Sequence, residues 1–335
     1  MGVGMRLFRA VSCSVVLIIF VLAPVETQGF DGSWLTLEPF AMGILNEGQQ
    51  QHYGSIGARK YLNSFTSYQF PNPFWPQQDP LSRLEFPIDQ WFVGVMARYG
   101  GAAWSVEAQG WINFTREARS LMQDSDWNDD SNPSQKTIFS ESRCRLNRGL
   151  LFDVRLDVAT SLTAPLNLRP VAGWRCENFN FTTYDGFQAA IDGPSTYLDG
   201  DGIEFRQVFY HYYLGGIIRT GWDPGRVWPW LPRVKTDLQF DYALVTASNE
   251  DLHLLRSGER VTRENTRGHC WHVATTLSFV FGDAIRARIE GDFKRLLTNG
   301  SHRLTNPLFE IDFSFDGSNV WSDQASISAV GEFFF

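Results

Sequence analysis

The feature that most constrains the fold is an alternation of polarity, residue by residue, along several segments of the chain. Between Ala284 and Phe293, apolar or small residues occupy one face of an extended strand, and charged residues occupy the other face. The same alternation occurs near 104–114, 152–158, 237–244 and 324–335. A soluble β-sandwich buries the inward face of each strand, so charges there would be costly. A closed membrane barrel, apolar outside and polar inside, accommodates this pattern.

Composition and hydropathy exclude several other classes of protein. The chain is 43% hydrophobic and 15% aromatic, with a formal net charge of −8 and no run of Lys and Arg, so we expect no nucleic-acid partner. After the first thirty residues, no apolar stretch reaches the roughly 20 residues of a membrane helix. Because only helices and closed barrels span bilayers, we predict an all-β transmembrane barrel in contact with outer-membrane lipid.

The first thirty residues differ from the rest. Arg6 and Arg9 precede an apolar run from Ala10 to Pro24, which polar residues follow. This order is typical of a secretory signal peptide, and the apolar run is shorter than a membrane-spanning helix. We therefore predict a signal peptide over residues 1–29 and a single barrel domain over residues 30–335. An uncleaved anchor helix is the alternative.

Ten antiparallel strands are predicted, near 36–58, 81–98, 102–121, 142–160, 168–186, 203–219, 234–252, 262–281, 285–300 and 322–335. The connections after odd-numbered strands are mostly long and polar, whereas connections two, four and eight are tight; the sixth breaks the pattern. Bacterial outer-membrane barrels have an even number of strands, short periplasmic turns and longer extracellular loops. Both termini are therefore expected in the periplasm, and the loop after the third strand is expected outside the cell.

Two polar segments lie where strands end on the predicted outer side. Asp124 and Asp126 follow strand three, and Asp251 and His253 end strand seven. The alternation of strand seven places Asn249, Asp251 and His253 on the lumen face. A carboxylate beside an imidazole raises its basicity and orients it, which suits activation of a nucleophile. Because no Ser or Cys is marked as the nucleophile, water is the expected one.

The register of the first polar segment conflicts with the strand before it. The lumen face of strand three carries odd-numbered residues, whereas Asp124 and Asp126 are even-numbered. For these carboxylates to face the lumen, a bulge or loop must shift the phase between Phe114 and Asp124. A solvated loop tip and a calcium-binding loop are the alternatives for this acidic segment.

Cysteines and histidines indicate no metal site. Cys144, Cys176 and Cys270 remain after the signal peptide, so at most one internal disulfide can form. The sequence HCWH at 269–272 lacks a second Cys/His pair at the spacing that zinc ligands require. We therefore expect no bound metal.

Taken together, these segments resemble the omptins, outer-membrane endopeptidases of Gram-negative bacteria built as ten-stranded barrels. The similarity is strongest in QDSDWNDDSNPSQKTIFSES at 123–142 and includes the DLH triplet at 251–253. SRLEFPID at 82–89, IEGDFKRLLTNGS at 289–301 and the final strand also fit. The resemblance implies a hydrolase that cleaves polypeptides at the cell surface. It also implies that Asp251 and His253 polarise a water molecule, which Asp124 and Asp126 hold from across the groove.

The chain departs from the family at positions that contact substrate. Omptins that cleave between basic residues carry acidic side chains where this chain has Gln50 or Gln51, Asn249 and Ser140. Gln51 and Asn249 are therefore candidate substrate-binding residues, and we expect weaker recognition of arginine and lysine. The lipopolysaccharide-contact motif is not preserved around 174–178, so neither that lipid nor another cofactor is expected to be required.

A second hypothesis is a catalytically silent outer-membrane barrel that serves as an adhesin, a scaffold or a narrow channel, since small barrels are filled by their own side chains. The two hypotheses differ in one geometric expectation. In an enzyme, Asp124, Asp126, Asp251 and His253 should converge around a water-sized gap at one end of the barrel.

Overall fold

A computed structural model describes residues 52–335 except 76, 161–166, 192 and 223–231. The described strands are β1 (Tyr53–Tyr61), β2 (Ser64–Phe70), β3 (Ser82–Ile88), β4 (Trp91–Gly100), β5 (Trp104–Asn113), β6 (Met122–Asp126), β7 (Ile138–Val158), β8 (Asn167–Ala190), β9 (Thr196–Trp222), β10 (Arg233–His253), β11 (Arg260–Phe281), β12 (Ile285–Asn306) and β13 (Ile311–Phe334). A short 3-10 turn covers Pro307–Phe309. The predicted signal peptide lies outside the described residues. Within the part that is described, no helix is long and apolar enough to cross a membrane.

Ten of these strands close into a ring of antiparallel neighbours. The ring runs β1-β4-β5-β7-β8-β9-β10-β11-β12-β13 and returns to β1. At one end β2, β3 and β6 continue β1, β4 and β5, so the order there becomes β13-β2-β3-β6-β7. The first three predicted strands are thus each broken into two pieces. The fold is the predicted ten-stranded antiparallel barrel, and we call the end that carries β2, β3 and β6 the rim.

The first strand is displaced from its predicted position. It was predicted near 36–58, but its described part covers 53–70 as β1 and β2, so residues predicted as a loop form part of the wall. The segment SFTSYQF of β2 alternates with its buried side chains pointing inward, Thr66, Tyr68 and Phe70 among them. Its apolar face is therefore opposite to that of a membrane-facing strand. The rim connections are also shorter than predicted, because the strands on either side are longer. The observed connections cover 71–81, 127–137, 191–195, 254–259 and 307–310.

A band of exposed apolar side chains surrounds the half of the barrel away from the rim. It includes Trp91, Val95, Tyr99, Trp104, Phe152, Tyr212, Leu214, Trp222, Phe240, Leu244, Ile285 and Phe333. Toward the rim the outer side also carries exposed ion pairs, Arg263–Glu250 and Arg303–Asp312, among exposed apolar side chains such as Tyr197. An apolar belt with aromatic residues at its borders is the surface that a bilayer covers. We call the belted part the band half.

Inside the band half, the bore is filled with paired charges. The Arg169 side chain is fully buried, and its Nε donates to Asp157 Oδ2 at 2.7 Å. The other oxygen of Asp157 accepts the hydroxyl of Ser105 at 2.8 Å. Such pairing is required because an isolated buried charge costs several kcal/mol. Further pairs in this region are Arg175–Asp153, Lys294–Glu177, Arg288–Glu332 and Arg59–Glu290.

Toward the rim, the interior changes from charged to aromatic. Phe86 stacks on Phe205 with ring centroids 4.2 Å apart, and Phe181 packs against both. All three side chains are essentially inaccessible to solvent. We call these three rings the aromatic layer. The prediction of a charged bore therefore holds only for the band half, and this layer argues against a water-filled channel.

The predicted phase shift occurs between β5 and β6. β5 presents odd-numbered residues to the bore, whereas β6 presents even-numbered ones, including Asp124 and Asp126. The connecting residues 114–121 are mostly irregular. The Asp89 carboxylate holds them by accepting the backbone N–H of Arg119 at 3.0 and 3.1 Å. This irregular segment re-aims the following strand so that both carboxylates face inward.

The three described cysteines are free thiols. Cys144 lies on β7, Cys176 on β8 and Cys270 on β11, and the first and last are buried. Over the described part of the chain, no disulfide therefore braces the wall. Stability depends instead on the strand hydrogen bonds and on the packing and charge pairs of the bore.

We expect Arg169→Leu to lower the free energy of unfolding by about 3 kcal/mol, near the lower end of the range for a broken buried pair. Asp157 would keep Arg98 at 3.2 Å but lose its fully buried partner. Guanidinium titration of the refolded protein in detergent measures the change. Arg303→Leu is the matched control, because its ion pair is exposed and should leave the midpoint nearly unchanged. Equal midpoints for the two variants would contradict the importance of the bore pairs.

Candidate active site

The end of β10 delivers two of the predicted catalytic side chains to the rim. Asn249 and Asp251 are buried, and Glu250 between them is exposed, which is the predicted lumen register. The Asp251 side chain is fully buried, whereas that of His253 is 15% exposed. Nε2 of His253 lies 3.4 Å from Oδ1 of Asp251. The imidazole therefore lies between a buried carboxylate and the opening of the barrel.

Tyr68 fixes the second oxygen of Asp251. Its phenol projects from β2 and donates a hydrogen bond to Asp251 Oδ2. The Tyr68 ring is fully buried and stacks on Phe205 with ring centroids 5.5 Å apart. A buried hydrogen bond of this kind restrains the carboxylate and leaves Oδ1 for His253. The sequence pattern did not identify Tyr68, because residues 59–80 are predicted as a connection, although the alternation of SFTSYQF was a usable signal.

Asp124 and Asp126 project from the same face of β6. Asp124 lies opposite Leu84 on β3 and Ser140 on β7, and Asp126 lies opposite Ser82. The hydroxyl of Ser82 donates a hydrogen bond to Asp126. Oδ1 of Asp124 is buried and has no hydrogen-bond partner among the described residues. One carboxyl is thus anchored by a hydroxyl, while the other keeps an oxygen free to exchange a proton.

The two pairs face each other across the rim. β7, β8 and β9 separate β6 from β10 in one direction around the wall, and five strands separate them in the other. The charge of Asp251 acts on Asp124, and the charge of Asp126 acts on His253. The structure therefore brings the four predicted residues together at one end of the barrel.

Burial and like charge act on the two carboxyls of β6, which lie beyond the band half. Burial raises the pKa of Asp124 well above its ordinary value, and the charges of Asp126 and Asp251 act in the same direction. Burial also raises the pKa of Asp126, against the hydrogen bond from Ser82. Neighbouring carboxyls with raised pKa values favour a state in which they share one proton.

The imidazole of His253 is affected in the opposite sense. Burial lowers its pKa, and the positive charges of Arg260 and Arg256 act in the same direction. Asp251 and Asp126 oppose this shift without reversing it. The ring is therefore neutral at neutral pH and able to accept a proton.

A second carboxylate–imidazole pair lies one layer below the dyad. Glu264 on β11 is in register with Asn249 on β10 and with His302 on β12. Nδ1 of His302 lies 2.8 Å from Glu264 Oε1, and both side chains are almost completely buried. The His302 ring packs on Phe70 with centroids 4.2 Å apart. This pair is closed to solvent, so it supports the layer above it and does not reach a substrate.

Of the two candidate substrate-binding residues, Asn249 and Gln51, only Asn249 lies among the described residues. Asn249 is only 2% exposed, so its amide lies beneath the groove. Gln51 lies outside the described residues, and the first strand reaches the rim at Phe70. Ser140, which stands where omptins that cleave between basic residues carry an acidic side chain, is buried beside Asp124.

The segment 174–178 crosses the band half as part of β8. Arg175 and Glu177 point into the bore, where they pair with Asp153 and Lys294. These charged side chains are therefore not on the outer wall, where a lipid headgroup would contact them.

The HCWH segment is divided between the two faces of β11. His272 points into the bore, and its Nδ1 lies 2.6 Å from Asp241. His269 stacks on Tyr242 at the outer face, with centroids 5.8 Å apart. Among the described residues, no three His, Cys, Asp or Glu side chains are grouped to hold a metal ion.

Comparisons with known proteins agree with this fold. The sequence model of the omptin family matches residues 80–328, which is more than half of the chain. The crystal structure of the outer membrane protease OmpT from Escherichia coli aligns with a TM-score of 0.74 and 17% identity, covering 85% of this chain and 97% of that one. At this identity the match shows the fold. The translocator domain of the autotransporter NalP from Neisseria meningitidis aligns with a TM-score of only 0.35 and 8% identity, covering 89% of this chain and 93% of that one. A comparison with curated protein sequences gave no significant match.

Proposed function

We propose, because this chain belongs to the omptin family, that it is an outer-membrane endopeptidase that hydrolyses peptide bonds with an activated water. The observation that carries the proposal is that two pairs of titratable side chains lie on opposite walls of the rim and face each other. One is a partly exposed imidazole beside a buried carboxylate, His253 and Asp251. The other is the pair of neighbouring carboxyls on β6, Asp124 and Asp126. The fold shared with an outer membrane protease supports the same reaction class.

In the proposed mechanism, His253 is the general base. Its neutral ring accepts a proton from water as the water oxygen attacks the carbonyl carbon of the substrate. The buried charge of Asp251 stabilises the imidazolium that forms, and Tyr68 holds that carboxylate in place. No covalent intermediate is required, because the nucleophile is water itself.

Asp124 and Asp126 hold the water from the opposite wall. The ionised member of the pair accepts a hydrogen bond from the water and orients it. The protonated member donates a hydrogen bond to the oxyanion of the tetrahedral intermediate. The shared proton can then pass to the departing amine, which must be protonated to leave.

We place the band half in the outer membrane and the rim outside the cell. The support is topological, since strand β1 begins at Tyr53 opposite Phe334, away from the rim. The ends of the barrel chain would then lie in the periplasm, and the rim connections would face the medium. Export to this location is consistent with a cleaved signal peptide over residues 1–29.

Cleavage of a diverse peptide library by the refolded full chain tests the proposal. We expect the wild type to cleave peptides and His253→Ala to lose this activity. His269→Ala is the matched control, because this histidine lies on the outer face of β11 and should leave cleavage intact. Absence of cleavage by correctly folded wild type would favour the catalytically silent barrel, and unchanged activity in His253→Ala would remove this residue from the mechanism.

A further inference from the structure

The hairpin between β10 and β11 places two arginines around His253. Arg260 is directly opposite His253 in the strand register, so both side chains project from the same face of the sheet. Their Cβ atoms are therefore about 4.5–5.5 Å apart. Arg256 lies in the turn, where its backbone N–H donates to the carbonyl of His253 at 3.3 Å. The hairpin that carries the dyad thus also places both arginines beside it.

Neither arginine is used in an ion pair of the described protein. Nearby arginines on the outer wall are paired, such as Arg263 with Glu250 at 2.7 Å. Arg256 and Arg260 have no carboxylate within 4.0 Å among the described residues, and Nε of Arg260 is buried without a hydrogen-bond partner. Arg256 is exposed and Arg260 is half-buried. Two positive groups at the opening are therefore free to contact a ligand.

Both arginines lie on the groove side of the wall. Their charges act on His253 and also on Asp124 and Asp126, across the opening. The polar neighbours of the catalytic carboxyls, Asn249 and Ser140, add no negative charge that would attract a basic side chain. The hairpin beside the dyad therefore adds two positive charges to the groove, opposite the carboxyls of β6.

Resting on the proposed peptidase activity, we propose that Arg256 and Arg260 bind an acidic side chain of the substrate beside the scissile bond. The substrate class is then a polypeptide with Asp or Glu at the cleavage site. A guanidinium group presents a planar fork of donors that matches the two oxygens of a carboxylate. Binding such a side chain next to His253 would hold the scissile carbonyl near the activated water.

Three quenched peptides that differ only in one residue beside the scissile bond test this inference. The residue is Glu, Gln or Lys, and kcat/KM is measured with the refolded full chain. We expect the Glu peptide to be cleaved at least about tenfold faster than its isosteric Gln counterpart, and the Lys peptide to be the slowest. The preference should shrink at high salt, because screening weakens exposed charge interactions.

Variants assign the preference to the two arginines. Arg256→Gln should reduce the Glu-to-Gln ratio, and Arg256→Glu combined with Arg260→Glu should make the Lys peptide the best substrate. Comparing peptides within one variant cancels any change that a substitution causes in the chemical step. Arg263→Gln is the matched control, because its side chain is on the outer face of the same strand.

The outcomes separate this inference from the proposed function. Cleavage with equal rates for Glu and Gln, or a preference for Lys, overturns the inference and leaves the peptidase activity standing. An unchanged Glu-to-Gln ratio in the arginine variants, with all rates lowered, also overturns it, because the arginines would then act only on the dyad. No cleavage of the three peptides or of the library removes the proposed function and this inference with it.

Discussion

Asp251→Asn should lower kcat/KM by about 10³–10⁴-fold while leaving the barrel folded, the magnitude that the same change produces in other carboxylate–imidazole pairs. The amide keeps the shape of the side chain and an oxygen that can accept the phenol of Tyr68. It loses the negative charge that stabilises a protonated His253. Steady-state cleavage of a quenched peptide by refolded protein measures the loss.

A double variant shows whether the two residues act as a unit. Asp251→Asn combined with His253→Ala should be no slower than His253→Ala alone, because a carboxylate has nothing to stabilise once the base is absent. Asp241→Asn is the matched control, since Asp241 faces His272 at 2.6 Å in the bore, far from the proposed chemistry. If that control, compared per folded molecule, loses as much activity as Asp251→Asn, the dyad is assigned to the wrong pair.

Asp124→Asn should make the protein slower but more stable at alkaline pH. We expect kcat/KM to fall by about 10²-fold or more, as for other groups that act on a proton in the transition state. The pKa of Asp124 in the folded protein is raised above its unfolded value of about 3.9. Between these two values the folded state binds more protons than the unfolded state, so stability falls as pH rises through the folded pKa. Asparagine removes this loss.

Guanidinium titrations at about pH 4 and about pH 8 test the sign of this effect, since each unit of pKa difference corresponds to about 1.4 kcal/mol. The variant and the wild type should be similar at the lower pH, and the variant should have the higher midpoint at the upper pH. Asp130→Asn is a suitable control because this side chain is exposed in the rim connection. A variant less stable than wild type at both pH values would contradict the raised pKa of Asp124.

The sequence predicted the barrel and the rim residues because both depend on a period of two. Alternation along β10 placed Asp251 and His253 on the inner face, and the parity conflict at Asp124 required the irregular segment before β6. Strand edges near the rim could not be predicted in the same way. On β2, beyond the band, the apolar side chains face inward, so the pattern inverts there without any marker in the sequence. Because of this inversion, neither β2 nor the role of Tyr68 was predicted.

Other site residues depend on tertiary register. Ser82 meets Asp126 only because β3 pairs with β6, and Arg260 meets His253 only because the β10–β11 hairpin closes at that register. The sequence shows each of these residues but not its partner. A hairpin turn of unknown length leaves several registers open, and a shift of one residue would turn a side chain to the other face.

The aromatic layer has a consequence for how a peptide substrate enters the groove and how its products leave. Because Phe86, Phe181 and Phe205 pack against one another in the interior beneath the groove, we expect product fragments to leave on the side from which the substrate arrived. Peptide cleavage at the rim would then involve no passage of peptide through the barrel, and the band half would serve as a structural support for the rim. Substitutions among the salt-bridged residues of the band half should then change the stability of the protein and leave its substrate specificity unchanged.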